Sequence, residues 1–496
     1  MQRTSRHVIA WGLLFSLLLT SQVGAASPAT AMASKYEYYY QGFQAGEYWV
    51  TVTKMNGIAV PNGLGIFNED TEGNLNIVSE TMGYAMILAA LYDDQDTFDK
   101  LSATVQVGIR SGLTPTNIET KLLPWTWTQS STAGTFALKS GASSASDADI
   151  NIALAYIYAD NASAVYGWPT KPTQGSTLTY KQMATNYIQA IRTRDFASSA
   201  SNTANKYILT DGSDQAAAGD IYSWHPDYSD IRAYQLFANY DTSYANFWQS
   251  AITYTKAAWK AVFDFGSADP RKTWENQPTS TIQSSVYNVW LSNATYTGLT
   301  FSSNYSSVLA SRTGSVYNTD CSRMPIRLMN YVNALENYDS SMSGIANSIL
   351  SALGSTYLGN SYHLTNQINI LFPFVQNGNV TTQNYTAAGL LALAGDSTLP
   401  YSNRQTVETN LLTQFSSGTI ATDFGSTDGF NDSLTLWGLT VYVEGNTPLQ
   451  AYTAAKVTGA TSNTGGYLLT QFRRAFRFYS VPRTRPTTPK PKRIVF

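Results

Sequence analysis

Cysteine is nearly missing from this chain of 496 residues: Cys321 stands alone, so no disulfide can form within it. Histidine is almost as scarce. His7, His225 and His363 are too few for a zinc site of the usual kind, and no Cys/His-rich tract occurs, so no metal or other cofactor is expected. Charge is thin too. Asp, Glu, Lys and Arg make up 13% of the chain, against an ordinary share of ~25%. With 43% hydrophobic residues and a net charge of -2, the bulk of the chain is not intrinsically disordered, because disorder needs low hydrophobicity and high net charge. Lys and Arg total only 31, which leaves no composition for a nucleic-acid-binding face. Beyond Val8 to Leu19 no apolar run is long enough to span a bilayer.

What is abundant is aromatic: 33 Tyr, 20 Phe and 11 Trp. The small net charge hides a segregation. Residues 1–25 carry Arg3 and Arg6 and no acid; residues 473–496 carry eight bases and no acid. The stretch between them holds 21 bases against all 33 acids. Such an acidic body repels polyanions and suits a neutral or cationic partner.

Residues 1–25 have the pattern of a signal peptide: a basic start, the short apolar run to Leu19, and small residues at Val23-Gly24-Ala25. Ala31-Met32-Ala33 is a second candidate cleavage site. The expectation is an exported protein, secreted or periplasmic, with no membrane span after cleavage. At the other end, residues 451–480 form an extension and 481–496 a basic, proline-rich tail that reads as disordered.

Between 36 and 450 the hydrophobic period is mainly helical. Ser79 to Tyr92 and Ala148 to Ala159 are apolar nearly all round, as inner helices are. Further helices are expected at 97–109, 179–193, 229–239, 242–262, 322–336, 340–352, 383–395, 402–415 and 434–443, with weaker signals near 36–50 and 304–312. Strongly apolar helices alternate with amphipathic ones, which predicts an all-α single domain. Inner and outer helices would pair in such a domain.

Three acids stand out by position: Glu80, Asp147 (with Asp149 two residues on) and Asp320, each at the start of an expected helix. Helix capping explains one such residue easily, since an acid at an N-terminus is worth about 0.5–2 kcal/mol. Three on nearly all-apolar helices need another reason, because a carboxylate beside apolar surface must be paired or used.

Five segments, in order, resemble glycoside hydrolase family 8. SETMGYAMILAALYDDQDTFDKL (79–101) is similar to the family's SEGQGYAM…NDQ-x-TFD-x-L, and ASDADINIALAYI (145–157) to its A-S/T-D-A/G-D-x-x-I-A-x-A motif. HPDYSDIRAYQLFA (225–238) resembles NPSY…YRLFA, YNTDCSRMPIR (317–327) resembles YDA-x-R-x-P-x-R, and FNDSLTLWGL (430–439) resembles YYDDSLALLGL. The resemblance implies an (α/α)6 barrel of six inner and six outer helices, and inverting hydrolysis of internal β-1,4-glycosidic bonds. Carried over by position, Glu80 is the general acid, Asp320 the general base, and Asp147 holds the sugar at the scissile bond. Tyr228 falls near the attacking water. Arg323 and Arg327, which follow Asp320, are expected to keep that base ionised. A negative charge on Asp147 is expected to oppose the helix N-terminus, which pushes Glu80 toward ionisation. Trp125, Trp127, Trp224, Tyr317 and Phe430 are candidate sugar platforms, since pyranose C–H faces stack on aromatic rings.

The chain departs from the pattern at Met82, where the family has Gln, and lacks the Trp that usually follows the 145–157 motif. The stretch 160–310 is long. An endoglucanase acting on cellulose or a related β-glucan as a monomer is the leading expectation. An endo-xylanase or chitosanase on the same scaffold, and a non-catalytic glycan-binding protein, are the alternatives.

Overall fold

The computed structural model describes residues 40–69, 73–111, 121–173, 176–197, 207–218, 227–263, 290–291, 299–300, 323–332, 342–347, 350, 384–396, 399, 402–417 and 429–444. The signal-like segment, the tail from 451 and the weak helix signal at 304–312 lie outside them.

The expectation of an all-α chain needs one correction. A small closed sheet of five strands precedes and interrupts the first helices: β1 (Trp49–Met55), β2 (Ile58–Glu69), β3 (Leu75–Val78), β4 (Thr126–Gln129) and β5 (Thr135–Leu138). Neighbours pair antiparallel except where β5 closes on β1 in parallel. The turn between β1 and β2 is Asn56-Gly57, with φ of 49° and 82°. Both residues are left-handed, as a two-residue type I′ hairpin requires, and Asn-Gly is the pair that adopts it at least cost. Val52, Met55, Ile66, Ile77, Trp127 and Phe136 from this sheet are all buried.

The rest is helical. The helices are α1 (Ser79–Leu91), α2 (Gln95–Ser111), α3 (Ser146–Val165), α4 (Tyr180–Arg194), α5 (Ser213–Ala218), α6 (Ile231–Tyr240), α7 (Ala245–Phe263), α8 (Arg323–Val332), α9 (Asn384–Ala394), α10 (Arg404–Ser417) and α11 (Gly429–Glu444). Short helical stretches also occur at 40–45 and 342–347. α1 buries every residue except Glu80. α4 has the outer-helix pattern: Tyr180, Met183, Ala184, Tyr187, Ile188, Ala190 and Ile191 are buried, while Lys181, Gln182, Asn186 and Gln189 face out. It starts with a capping box, Thr179 with Gln182.

Packing runs in a circuit. α1 packs on α3, α3 on α6, α6 on α8, α8 on α9, α9 on α11, and α11 back on α1. α2, α4, α7 and α10 lie against α1, α3, α6 and α9 respectively. β3 runs directly into α1, and the Ser79 N–H donates to the Trp125 carbonyl at 2.9 Å. The sheet therefore fixes the end of α1 that carries Glu80.

α1 and α3 approach closely at Gly83. A Cβ there would stand 2.8 Å from Asn151 Cβ and 3.3 Å from the Ala148 carbonyl oxygen. Gly83 is one turn beyond Glu80, and Asn151 one turn beyond Asp147, so this contact sets how closely the two acid-bearing turns lie. Gly83→Ala must spread the helices, and overpacking of this kind costs about 1–3 kcal/mol. The denaturant midpoint should fall accordingly. An unchanged midpoint would mean that the two helices are not held by this contact.

Candidate active site

Neither Glu80 nor Asp147 caps its helix. The N-cap of α1 is Val78 and that of α3 is Ala145, and neither makes a side-chain cap hydrogen bond. True capping occurs elsewhere: Asp230 at the start of α6 accepts from the Ala233 N–H at 2.9 Å. The macrodipole still favours both acids, but their side chains are directed to other partners. Glu80 is half-buried and accepts from the Ser79 hydroxyl at 3.3 Å. Asp147 is fully buried.

A buried cation compensates Asp147. The Arg323 guanidinium, at the first residue of α8, donates through Nη1 to Asp147 Oδ2. Its other side meets Asp227, with Nε at 3.1 Å and Nη2 at 3.0 Å from Oδ2. Its Nη1 also lies 3.4 Å from the Tyr84 hydroxyl, one turn after Glu80. Arg327, one turn on, donates to the Tyr228 carbonyl, to the Asp147 carbonyl at 3.2 Å and to Asn151 Oδ1 at 3.2 Å. α1, α3, α8 and the loop before α6 are thus laced together at one place. Desolvation pushes the Tyr84 hydroxyl well above its ordinary pKa, so it stays a neutral donor.

Arg323, 1% exposed, and Arg327 bond to Asp147, Asp227, Asn151 and carbonyl groups; Asp320, the base they are expected to keep ionised, lies outside the described residues. Trp127 is displaced from the candidate platforms: it is fully buried on β4, with its indole N–H donating to the Pro124 carbonyl at 3.2 Å. A ring without exposed face cannot stack on a pyranose.

Trp125 keeps the role open. It is 37% exposed, lies beside the start of α1 through its carbonyl, and has the Lys139 ammonium 5.8 Å from its ring centre. Phe430, at the start of α11, is half-buried and meets the Tyr84 ring edge-on, centroids 5.7 Å apart. Tyr228 is mostly buried, with the Arg323 guanidinium 4.9 Å above its ring. Asp320, Tyr317 and Trp224 lie outside the described residues.

Asp227, Tyr84 and Asn151 were not singled out from sequence. The signal for Asp227 was available: it replaces the Ser of NPSY, next to Tyr228. A new acid in an otherwise buried motif needs a cation.

The comparisons fit this geometry. Residues 60–222 match the model of glycosyl hydrolases family 8, the family whose motifs the sequence carries. Glu80, Asp147 and Asp149 all fall within that glycoside hydrolase segment. Among solved structures, a β-1,3-1,4-glucanase from Paenibacillus sp. X4 is similar at 17% identity, over 84% of this chain and 93% of that one, with a TM-score of 0.55. A cold-adapted family 8 xylanase gives 15% identity, 84% and 92% coverage and a TM-score of 0.55. A reducing-end-xylose releasing exo-oligoxylanase gives 12%, 85% and 94%, and 0.53. At such identities the likeness shows a shared fold. No curated protein matches the sequence. Among the described residues no helix is long and apolar enough to cross a membrane.

Proposed function

We propose that the chain is an exported, inverting endo-β-1,4-glucanase built on an (α/α)6 barrel that occupies residues 36–450 and works as a monomer. The circuit of six helices, with amphipathic partners outside, supports the barrel. The reading rests above all on Glu80 and Asp147. They occupy the first turns of adjacent buried helices, neither caps, and one is held by a buried arginine.

Glu80 protonates the glycosidic oxygen, which is otherwise a poor leaving group. Asp147 binds the hydroxyls of the sugar at the scissile bond and turns it toward the transition-state shape. Its Oδ1 is buried and meets no donor among the described residues, an unmet acceptor in the first turn of α3. Asp320 stands three residues before Arg323 in the chain and activates the water that attacks the opposite face. Inverting enzymes separate the two carboxyls by roughly 6.5–9.5 Å to admit it. Trp125 and Phe430 stack on sugar rings, and Trp224 and Tyr317 extend that platform.

Reducing-sugar release on carboxymethyl-cellulose, mixed-linkage β-glucan, xylan and chitosan tests the substrate, with proton NMR in the first minutes testing the stereochemistry. The first-formed product should be the α-anomer, and the glucans should be preferred. A β-anomer would mean a retaining mechanism and a different role for Asp320. Preference for xylan would move the chain to the substrate of one of its structural neighbours.

A further inference from the structure

We propose that Asp149 and Asp195 hold one proton between them, and that this shared proton is what fixes the start of α3, and with it Asp147, in place. Both side chains are fully buried. Asp149 Oδ1 accepts from the Tyr187 hydroxyl at 2.7 Å, and Asp195 Oδ1 from the Ser144 hydroxyl at 3.1 Å. The second oxygens, Asp149 Oδ2 and Asp195 Oδ2, are buried and meet no N–H or O–H donor among the described residues, and the two carboxyls lie near enough to act on one another's ionisation. Two neighbouring acceptors buried without a donor are reconciled by one proton between them.

Among the described residues, few groups face the pair. On α3 there is Asp147, which is another acid. From α4 there is Tyr187, whose hydroxyl also accepts from the Leu123 N–H at 3.0 Å. The Ser144 hydroxyl comes from the segment before α3, and Asp211 lies in the loop opposite it. The guanidinium groups of Arg323 and Arg327 are taken up by Asp147, Asp227, Asn151 and carbonyls. Burial pushes Asp195 up to about 8, and Asp149 is raised well above the carboxylate range by burial and by the charge of Asp195.

The pair sits where two segments are sewn together. Asp195 ends α4, and its carbonyl accepts from the Thr210 N–H at 2.8 Å and the Thr210 hydroxyl at 2.9 Å. Thr210 in turn accepts from the Ser146 hydroxyl, and the Asp211 carbonyl from the Ser146 N–H at 2.9 Å. Ser144 and Ser213 bond to each other's N–H groups at 3.2 and 3.4 Å. Ser146 opens α3, directly before Asp147. Removing the proton places two negative charges in this seam and pushes the two segments apart. Asp149 and Asp195 are therefore positioning residues for Asp147, an inference whose catalytic half rests on the proposed function.

Asn is the isosteric mimic of a protonated Asp: its amide N–H₂ donates where the acid proton did. Asp195→Asn and Asp149→Asn should each keep the pair from reaching two negative charges at any pH. Three readouts follow. In wild type and in Glu80→Gln at pH 7, infrared difference spectra should show a buried carboxylic-acid C=O band that both Asn variants lack. In thermal unfolding, the raised pKa means that the folded state holds a proton the unfolded state releases above ~4. Wild-type stability from this pair is fully present below pH ~4 and is lost as pH rises through about 8. The gap in Tm between Asp195→Asn and wild type should widen over that window and level off above it. In glycan hydrolysis, the alkaline limb of kcat/KM should move up by about one pH unit or more in either variant. An infrared band that survives both substitutions, or a Tm gap flat between pH 4 and 8, overturns the proton-sharing. Those readouts hold whether or not the chain hydrolyses a glycan. If it does, and the alkaline limb stays put, the pair does not position Asp147.

Discussion

Glu80→Gln should lower turnover on an unactivated β-glucan by roughly 10²–10⁴-fold, the worth of a positioned general acid. The substitution keeps size and hydrogen-bonding capacity and removes only the proton supply. Glu80 is the one residue of α1 that is not buried, and it makes no cap. The fold should therefore be indifferent to the change, with stability within about 0.5 kcal/mol of wild type. The loss should shrink on an aryl glycoside whose phenolate leaves without protonation. That contrast separates a missing acid from a damaged site. Near-wild-type hydrolysis of the natural linkage would return Glu80 to the role of a dipole-stabilising surface acid.

The second large effect is structural. Arg323→Met should destabilise the protein by about 3–5 kcal/mol, because it leaves the buried Asp147 and Asp227 carboxylates without their common cation. Met fills much of the volume of Arg, so the loss reports charge more than packing. Arg323→Lys should cost less than Met but more than nothing. A single ammonium cannot serve two carboxylates and the Tyr84 hydroxyl from one planar fork. Adding Asp227→Asn to Arg323→Met should recover part of the loss, since one uncompensated charge then remains where two stood. Urea midpoints of the four proteins measure this. If Arg323→Met unfolds at the wild-type midpoint, the two carboxylates find compensation elsewhere and the clamp described here is not what holds them.

Much of the helical layout was legible because its signal is local and repeated. The apolar run from Ser79 and the regular spacing at 180–191 each fix a helix within a residue or two of where it lies. The strands were missed although their clearest mark was in plain view. Asn56-Gly57 sits between alternating residues 49–55 and 58–60, and Pro61-Asn62 follows, with Asn62 at a φ of 54°. That is a hairpin followed by a register shift between Val52 and Lys54. The short β3, β4 and β5 carry only four residues each, too few for an alternation to be counted.

The sequence by itself determined which acids to watch. Glu80 and Asp147 are conspicuous because each is an acid opening an apolar helix, and such helices must bury their faces wherever the chain goes. It also determined the segment that matches family 8, since motif order survives without coordinates. Tertiary structure alone decided what surrounds those acids. Arg323 is 176 residues from Asp147 and 96 from Asp227, and Asp195 is the C-cap of a different helix from the one that carries Asp149. It likewise decided that Trp125 is open while Trp127, two residues away, is sealed in the core. No periodicity encodes these facts. A side chain's exposure and its charged partners depend on which distant elements pack against it, and the free energy of a buried charge is set by those neighbours rather than by the residues beside it in the chain.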